Sequence, residues 1–247
     1  MKTRYALVLA ASLAGSLVLS AVSAFAAVPV AGPSPRFAGH YVIDYSSGSA
    51  RLVTAPTGAQ IAGDVYVNES TIQGGFADSD LGATMGDRVT TTASGVLEEF
   101  DFTVYNAGTN SGALFTSTHN IEFYDGPSGI PLGGFNVNSS YTGLNPGYYS
   151  IVSLTGLSAL NLSLPTDVIV TQQMTAHTGT TNKLGVVIFD PPTVGSSAPD
   201  FYVSASDIAA GWYTLSGVNA NLGYRINVTN PVPARTSTWG SLKALYH

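Results

Sequence analysis

Glu99 and Asp101 stand two apart in the run Leu97–Tyr105 (LEEFDFTVY). A pair of carboxyls is what hydrolysis of a glycosidic bond requires. On an extended strand, residues i and i+2 share a face about 6.5–7 Å apart. That spacing fits an inverting pair, at about 6.5–9.5 Å, better than a retaining one at about 5–5.5 Å. An ordinary solvated strand face produces the same spacing, and a solvated face is the expectation here. Three more acids, Asp78, Asp80 and Asp87, fall in the Gly-rich run DSDLGATMGD. Calcium takes oxygen ligands from carboxylates, carbonyls and water, and is the one ion this run would hold. The run departs from an EF-hand loop because Val89, not an acid, stands twelfth from Asp78. The plain alternative is a polar surface loop. Asp190, before Pro191-Pro192, and Asp200 form a second oxygen-bearing pair, read alternatively as a rigid turn.

Other chemistries find little material. His40, His119 and His177 are dispersed without the H-x-x-x-H or HExxH spacing of a metal site. No G-x-S-x-G elbow or phosphate-cradling glycine loop occurs, so no catalytic residue is assigned. The chain has no Cys, which removes disulfides, zinc ribbons and thiol catalysis together. Aromatic side chains remain. Tyr149, Tyr202, Trp212 and Tyr213 are candidate ligand-binding residues, because flat apolar ring faces stack on sugar rings. Within Tyr148-Tyr149 and Trp212-Tyr213 alternation turns one member to the core and the other to solvent. Core packing is the competing role for all four.

The elements that must carry these residues are strands. Alternation dominates from Tyr41 onward, and segments of helical period are nearly absent. In Leu97–Tyr105 the core side takes Phe100, Phe102 and Val104, and the other side takes Glu99, Asp101, Thr103 and Tyr105. His119–Asp125 and Leu132–Val137, joined by Gly126-Pro127-Ser128-Gly129, read as a hairpin. Further strands are expected at Gln60–Val67, Tyr148–Leu154, Asp167–Thr175, Lys183–Phe189, Phe201–Val203, Trp212–Leu215 and Leu222–Val228. The stretch Gln73–Asp87 reads as irregular, and Pro231 and Pro233 as ending the last strand. The expected fold is all-β, an antiparallel β-sandwich of about 9–12 strands with a jelly roll as the favoured topology.

The segment 1–26 reads as a signal peptide. Lys2 and Arg4 precede the apolar stretch Ala6–Val22, and Ala24-Phe25-Ala26 supplies the small-x-small cleavage pattern. A Pro/Gly/Ser-rich linker follows at 27–39, then the sandwich domain at 40–230 and a tail at 231–247 for sorting or docking. No later run is apolar enough to span a bilayer, so no transmembrane segment remains after cleavage. Only 10% of the 247 residues are charged, with 9 Lys+Arg against 15 Asp+Glu, a balance that excludes a nucleic-acid partner. Loss of Lys2 and Arg4 leaves the mature chain more acidic still.

Several blocks resemble one group of sequences. They are Gly86–Asn106, Ile121–Phe135, Gly143–Gln173, Leu184–Ser204 (LGVVIFDPPTVGSSAPDFYVS), Gly211–Gly217 (GWYTLSG) and Asn221–Val228 (NLGYRINV). Together they are similar to exported bacterial β-sandwich proteins of the PEP-CTERM-associated type. The resemblance implies an extracellular domain near envelope or exopolysaccharide functions and brings no catalytic residues. The chain departs from that type at Val232-Pro233-Ala234, where Pro-Glu-Pro would stand, with no membrane helix or basic cluster after it.

The expected function is therefore that of a secreted or cell-surface bacterial protein with a structural or adhesive role and no enzymatic activity. A carbohydrate-binding module is the alternative, and a polysaccharide hydrolase or lyase a third reading. The expected partners are extracellular polysaccharide or further copies of the chain, and no cofactor is required beyond the calcium considered above.

Overall fold

A computed structural model describes residues 34–53, 61–78, 81–108, 112–206, 208–215 and 217–233. The strands in chain order are β1 (Arg36–Asp44), β2 (Ala50–Val53), β3 (Asp64–Val67), β4 (Ile72–Asp78), β5 (Thr84–Thr90), β6 (Ala93–Asn106), β7 (Leu114–Asp125) and β8 (Pro131–Leu144). They continue with β9 (Tyr148–Thr155), β10 (Ser163–Leu164), β11 (Asp167–Gly179), β12 (Leu184–Phe189), β13 (Ser196–Ser204), β14 (Gly211–Thr214) and β15 (Arg225–Pro233). One 3-10 turn, Leu157–Leu160, interrupts them.

The strands form two sheets. Sheet A runs β2-β1-β9-β6-β12-β4, with β10 and β15 also on β6 and β3 on β15. Sheet B runs β14-β13-β5-β11-β7-β8. All pairs are antiparallel except β1–β9. The fold is an all-β sandwich, as alternation implies; the fifteen strands among the described residues, with their parallel pair, do not establish the eight-strand, double-Greek-key plan of a jelly roll. Among the described residues no helix is long and apolar enough to cross a membrane.

The core lies between the sheets, where their inward-facing residues interdigitate. Edge-to-face ring pairs cross the gap: Phe100 with Phe123 at 5.3 Å, Phe76 with Phe201 at 5.0 Å and Tyr41 with Tyr141 at 5.1 Å. Phe100, Phe102 and Val104 of β6 all face this core, fully buried. The opposite side of β6 differs from the solvated face the alternation suggests, for Asp101, Thr103 and Tyr105 are buried as well. A second, smaller apolar cluster covers that side, with Tyr105, Tyr149, Ile151, Val187 and Phe189 beneath Phe37 and Ile72. The Tyr105 ring lies where a side chain on Gly75 would start, its nearest atom 2.7 Å from that point, so β4 needs glycine to pass beneath it.

Three local expectations change. The stretch Gln73–Asp87 contains most of β4 and half of β5, because paired, buried glycine-rich backbone carries no hydrophobic period. β1 begins at Arg36, inside the expected linker. β15 continues through Pro231 to Pro233, with a register shift between Thr229 and Val232 where the missing donor is tolerated. The hairpin of β7 and β8 pairs as its turn chemistry implies, Ile121 opposite Phe135.

Candidate functional site

The outer face of sheet B gathers aromatic side chains. Phe201 and Val203 of β13 are buried in the core, so Tyr202 between them points outward. β14 pairs with β13 and sets Trp212 directly opposite Tyr202, the rings edge to face at 5.8 Å and 65°. Tyr124 arrives from β7 by the same parity, since Ile121 and Phe123 face inward. Its hydroxyl donates to Glu122 Oε2, and Asn120 Nδ2 donates to Glu122 Oε1 at 3.1 Å. Burial, then the Glu122 carboxylate, holds the Tyr124 phenol above its ordinary pKa, so it is a neutral donor. Tyr202, Trp212, Tyr124, Glu122, Thr171 and Ile169 line an open groove of about 360 Å³. Ligand pockets fall in this size range and take this mixture of ring faces and a few polar groups.

Of the four aromatic residues singled out in the sequence, the structure brings Tyr202 and Trp212 together. Tyr213 turns the other way: its ring packs against the core and its hydroxyl donates to the Ala209 carbonyl at 2.5 Å. Tyr149 belongs to sheet A and does not face solvent. It packs edge-on against Phe37 and Phe189, and burial pushes its phenol up to about 12. Tyr124 and Glu122 were missed. Their signal was the outward parity of β7, but nothing local says that β7 and β13 share a face.

The acids fall elsewhere. On the far side of sheet A, Arg225 of β15 reaches three acids on two other strands, β3 and β6. Its Nε donates to Asp64 Oδ1 at 2.8 Å, Nη2 to Glu99 Oε2 at 3.1 Å and Nη1 to Asp101 Oδ2 at 3.3 Å. Burial raises Asp101 to about 6 against the pull of Arg225, and raises the neighbouring Glu69 well above the carboxylate range. His40, bonded to Ser153 Oγ at 2.5 Å, is held below its ordinary value by burial and then by Arg225. Glu99 and Asp101 are thus committed to one guanidinium and form a clamp between strands, not an open pair flanking a substrate.

Asp87 leaves the expected loop altogether. It sits within β5, fully buried, where Ser197 Oγ donates to Oδ1 at 2.6 Å and the Leu222 amide to Oδ2 at 2.9 Å. Asp80 and the Asp78 side chain lie outside the described residues. Asp190 accepts from Asn219 at 3.2 Å and Asn221 at 2.8 Å, lining a second groove without aromatic faces. Asp200 lies in β13, its backbone paired with Thr214 of β14. Among the described residues no three His, Asp or Glu side chains are grouped to hold a metal ion. His119 is a core residue, its Nε2 2.7 Å from Ser117 Oγ, and burial pushes it down to about 3. Comparisons with protein-family models, with curated proteins and with solved structures find no match.

Proposed function

We propose that this is an exported, non-catalytic protein of the bacterial cell surface or extracellular matrix that binds glycan on the outer face of sheet B. The observation that carries the reading is the groove that Tyr202, Trp212 and Tyr124 line together with one carboxylate, Glu122. Ring faces stack on the apolar faces of sugars, and Glu122 and Thr171 offer the hydrogen bonds that orient hydroxyls. Export rests on the basic start, apolar stretch and Ala-x-Ala pattern of residues 1–26. A role without catalysis rests on the engagement of Glu99 and Asp101 by Arg225. Affinity electrophoresis through gels cast with soluble glucans and xylans tests the binding. Retardation of the parent chain is expected, with Trp212→Ala weakening it about tenfold or more; equal mobility of parent and variant in every gel would sink the reading.

Self-association is a second reading, favoured by one observation. β8 ends sheet B, and its fourteen residues carry no charged side chain. Natural edge strands are commonly guarded by charge, and among the described residues no strand pairs with the far side of this one.

A further inference from the structure

The register of sheet B aligns one row of residues across all six strands. Trp212 stands opposite Tyr202, Tyr202 opposite Gly86, Gly86 opposite Thr171, Thr171 opposite Glu122 and Glu122 opposite Gly134. Every member faces outward, because the neighbours Met85, Phe123, Phe135, Val170, Phe201 and Val203 are buried in the core. Two of the six positions are glycine, and neither admits a side chain. A Cβ on Gly134 would lie 2.2 Å from the Ile121 carbonyl oxygen, and one on Gly86 would lie 2.8 Å from that of Val170. The row is therefore low at Gly86 and at Gly134, and it rises to rings at Tyr202 and Trp212. It is flanked on one side by Tyr124, Ile169 and Arg88. On the other side stand Asn136, Asn120, Gln173, Thr84 and Ser204. A second open depression, which includes Asn120, Gly134 and Asn136, continues the aromatic groove beyond Glu122 to β8.

We infer that this trough takes a linear, neutral polysaccharide in an extended conformation lying across the strands, and not a single terminal sugar. The inference rests on the glycan-binding reading and specifies its ligand. Five interstrand steps of about 4.8 Å give a track of roughly 24 Å, enough for about five sugar rings in an extended chain. The aromatic end, at Tyr202 and Trp212, stacks one or two rings, and the amide-bearing flank of Asn120, Gln173 and Asn136 meets the hydroxyl edge of the rest. Neutrality follows from the floor. Glu122, on the fifth of the six strands, is the charged member of the row, its oxygens oriented by Tyr124 and Asn120. A uronic-acid chain would lay its own carboxylates beside it, and like charges brought together at an interface cost several kcal/mol.

The test is calorimetric titration with cello-, xylo- and β-1,3-gluco-oligosaccharides of one to six units, together with polygalacturonate oligomers. For at least one neutral series, affinity is expected to rise with each added unit up to about five. Asn136→Ala, which removes an exposed amide from the β8 end, is expected to weaken pentasaccharide binding several-fold more than disaccharide binding. Polygalacturonate is expected to bind more weakly, with Glu122→Gln narrowing the gap. Affinity already complete at one or two units, with Asn136→Ala weakening no length more than another, overturns the extended track but leaves glycan binding standing. Polygalacturonate binding tighter than any neutral series overturns neutrality. Absence of binding at every length overturns the glycan reading itself.

Discussion

Asp87 holds a carboxyl in the interior of a sandwich, and its ionisation is a statement about stability. Burial pushes it up to about 8, while the hydrogen bonds from Ser197 and Leu222 pull the other way. In the unfolded chain a carboxyl titrates near 4. Between those limits the folded protein keeps a proton that the unfolded chain releases. The stability this contributes is full below about pH 4 and is lost as pH rises to about 8. His119 acts oppositely: pushed down to about 3, it contributes above its unfolded value and loses that contribution as pH falls. Above about pH 6.5 the histidine is silent and raised carboxyls dominate the slope. Urea unfolding is therefore expected to show stability falling from about pH 6.5 to 8. Asp87→Asn, which keeps an acceptor for Leu222 and a donor for Ser197, should flatten that fall; an unaltered slope would assign it to another group. Composition placed Asp87 with Asp78 and Asp80 because all three are acids near glycines. Its partners are 110 and 135 residues away, beyond the reach of any local pattern.

At the scale of elements, Arg225 makes β15, β3 and β6 interdependent. Removing it leaves Asp64, Glu99 and Asp101 facing one another with Glu69 close by. Breaking a buried ion pair from one side typically costs about 3–5 kcal/mol, since the remaining charge stays buried. Arg225→Ala is expected to cost about that much near pH 8 and less near pH 4.5, where the acids accept protons. Equal costs at both pH values would contradict the clamp. The strands themselves were legible to different degrees. β6, β7, β8 and β11 declare themselves by alternation, because each has one face in the core. β4 does not, since Gly74 and Gly75 replace the periodic residues where Tyr105 crosses the strand. The burial of Asp101 and Tyr105 was equally hidden: alternation separates two faces without saying that side chains of neighbouring strands pack over the outer one.

For the whole molecule, the two sheets do different work. Sheet A carries buried side chains on both faces, whereas sheet B covers the core with one face and presents an aromatic and amide-rich surface with the other. β8 closes that surface and leaves its own far edge uncharged. Sedimentation at rising concentration is expected to reveal reversible association, and Asn138→Lys on the exposed side of β8 should shift it toward monomer. A parent chain that stays monomeric throughout would remove the self-association reading. By itself the amino-acid sequence determined the β class, the inward set of β6, the β7–β8 hairpin and the scarcity of reactive groups. These follow from short-range rules, a two-residue side-chain period and the chemistry of turns. Only the tertiary structure decided that Tyr202, Trp212, Tyr124 and Glu122 share one trough and that Glu99 and Asp101 share one arginine. Period sets which way a side chain points, but lateral strand order sets what it meets, and that order is chosen by packing between segments tens of residues apart.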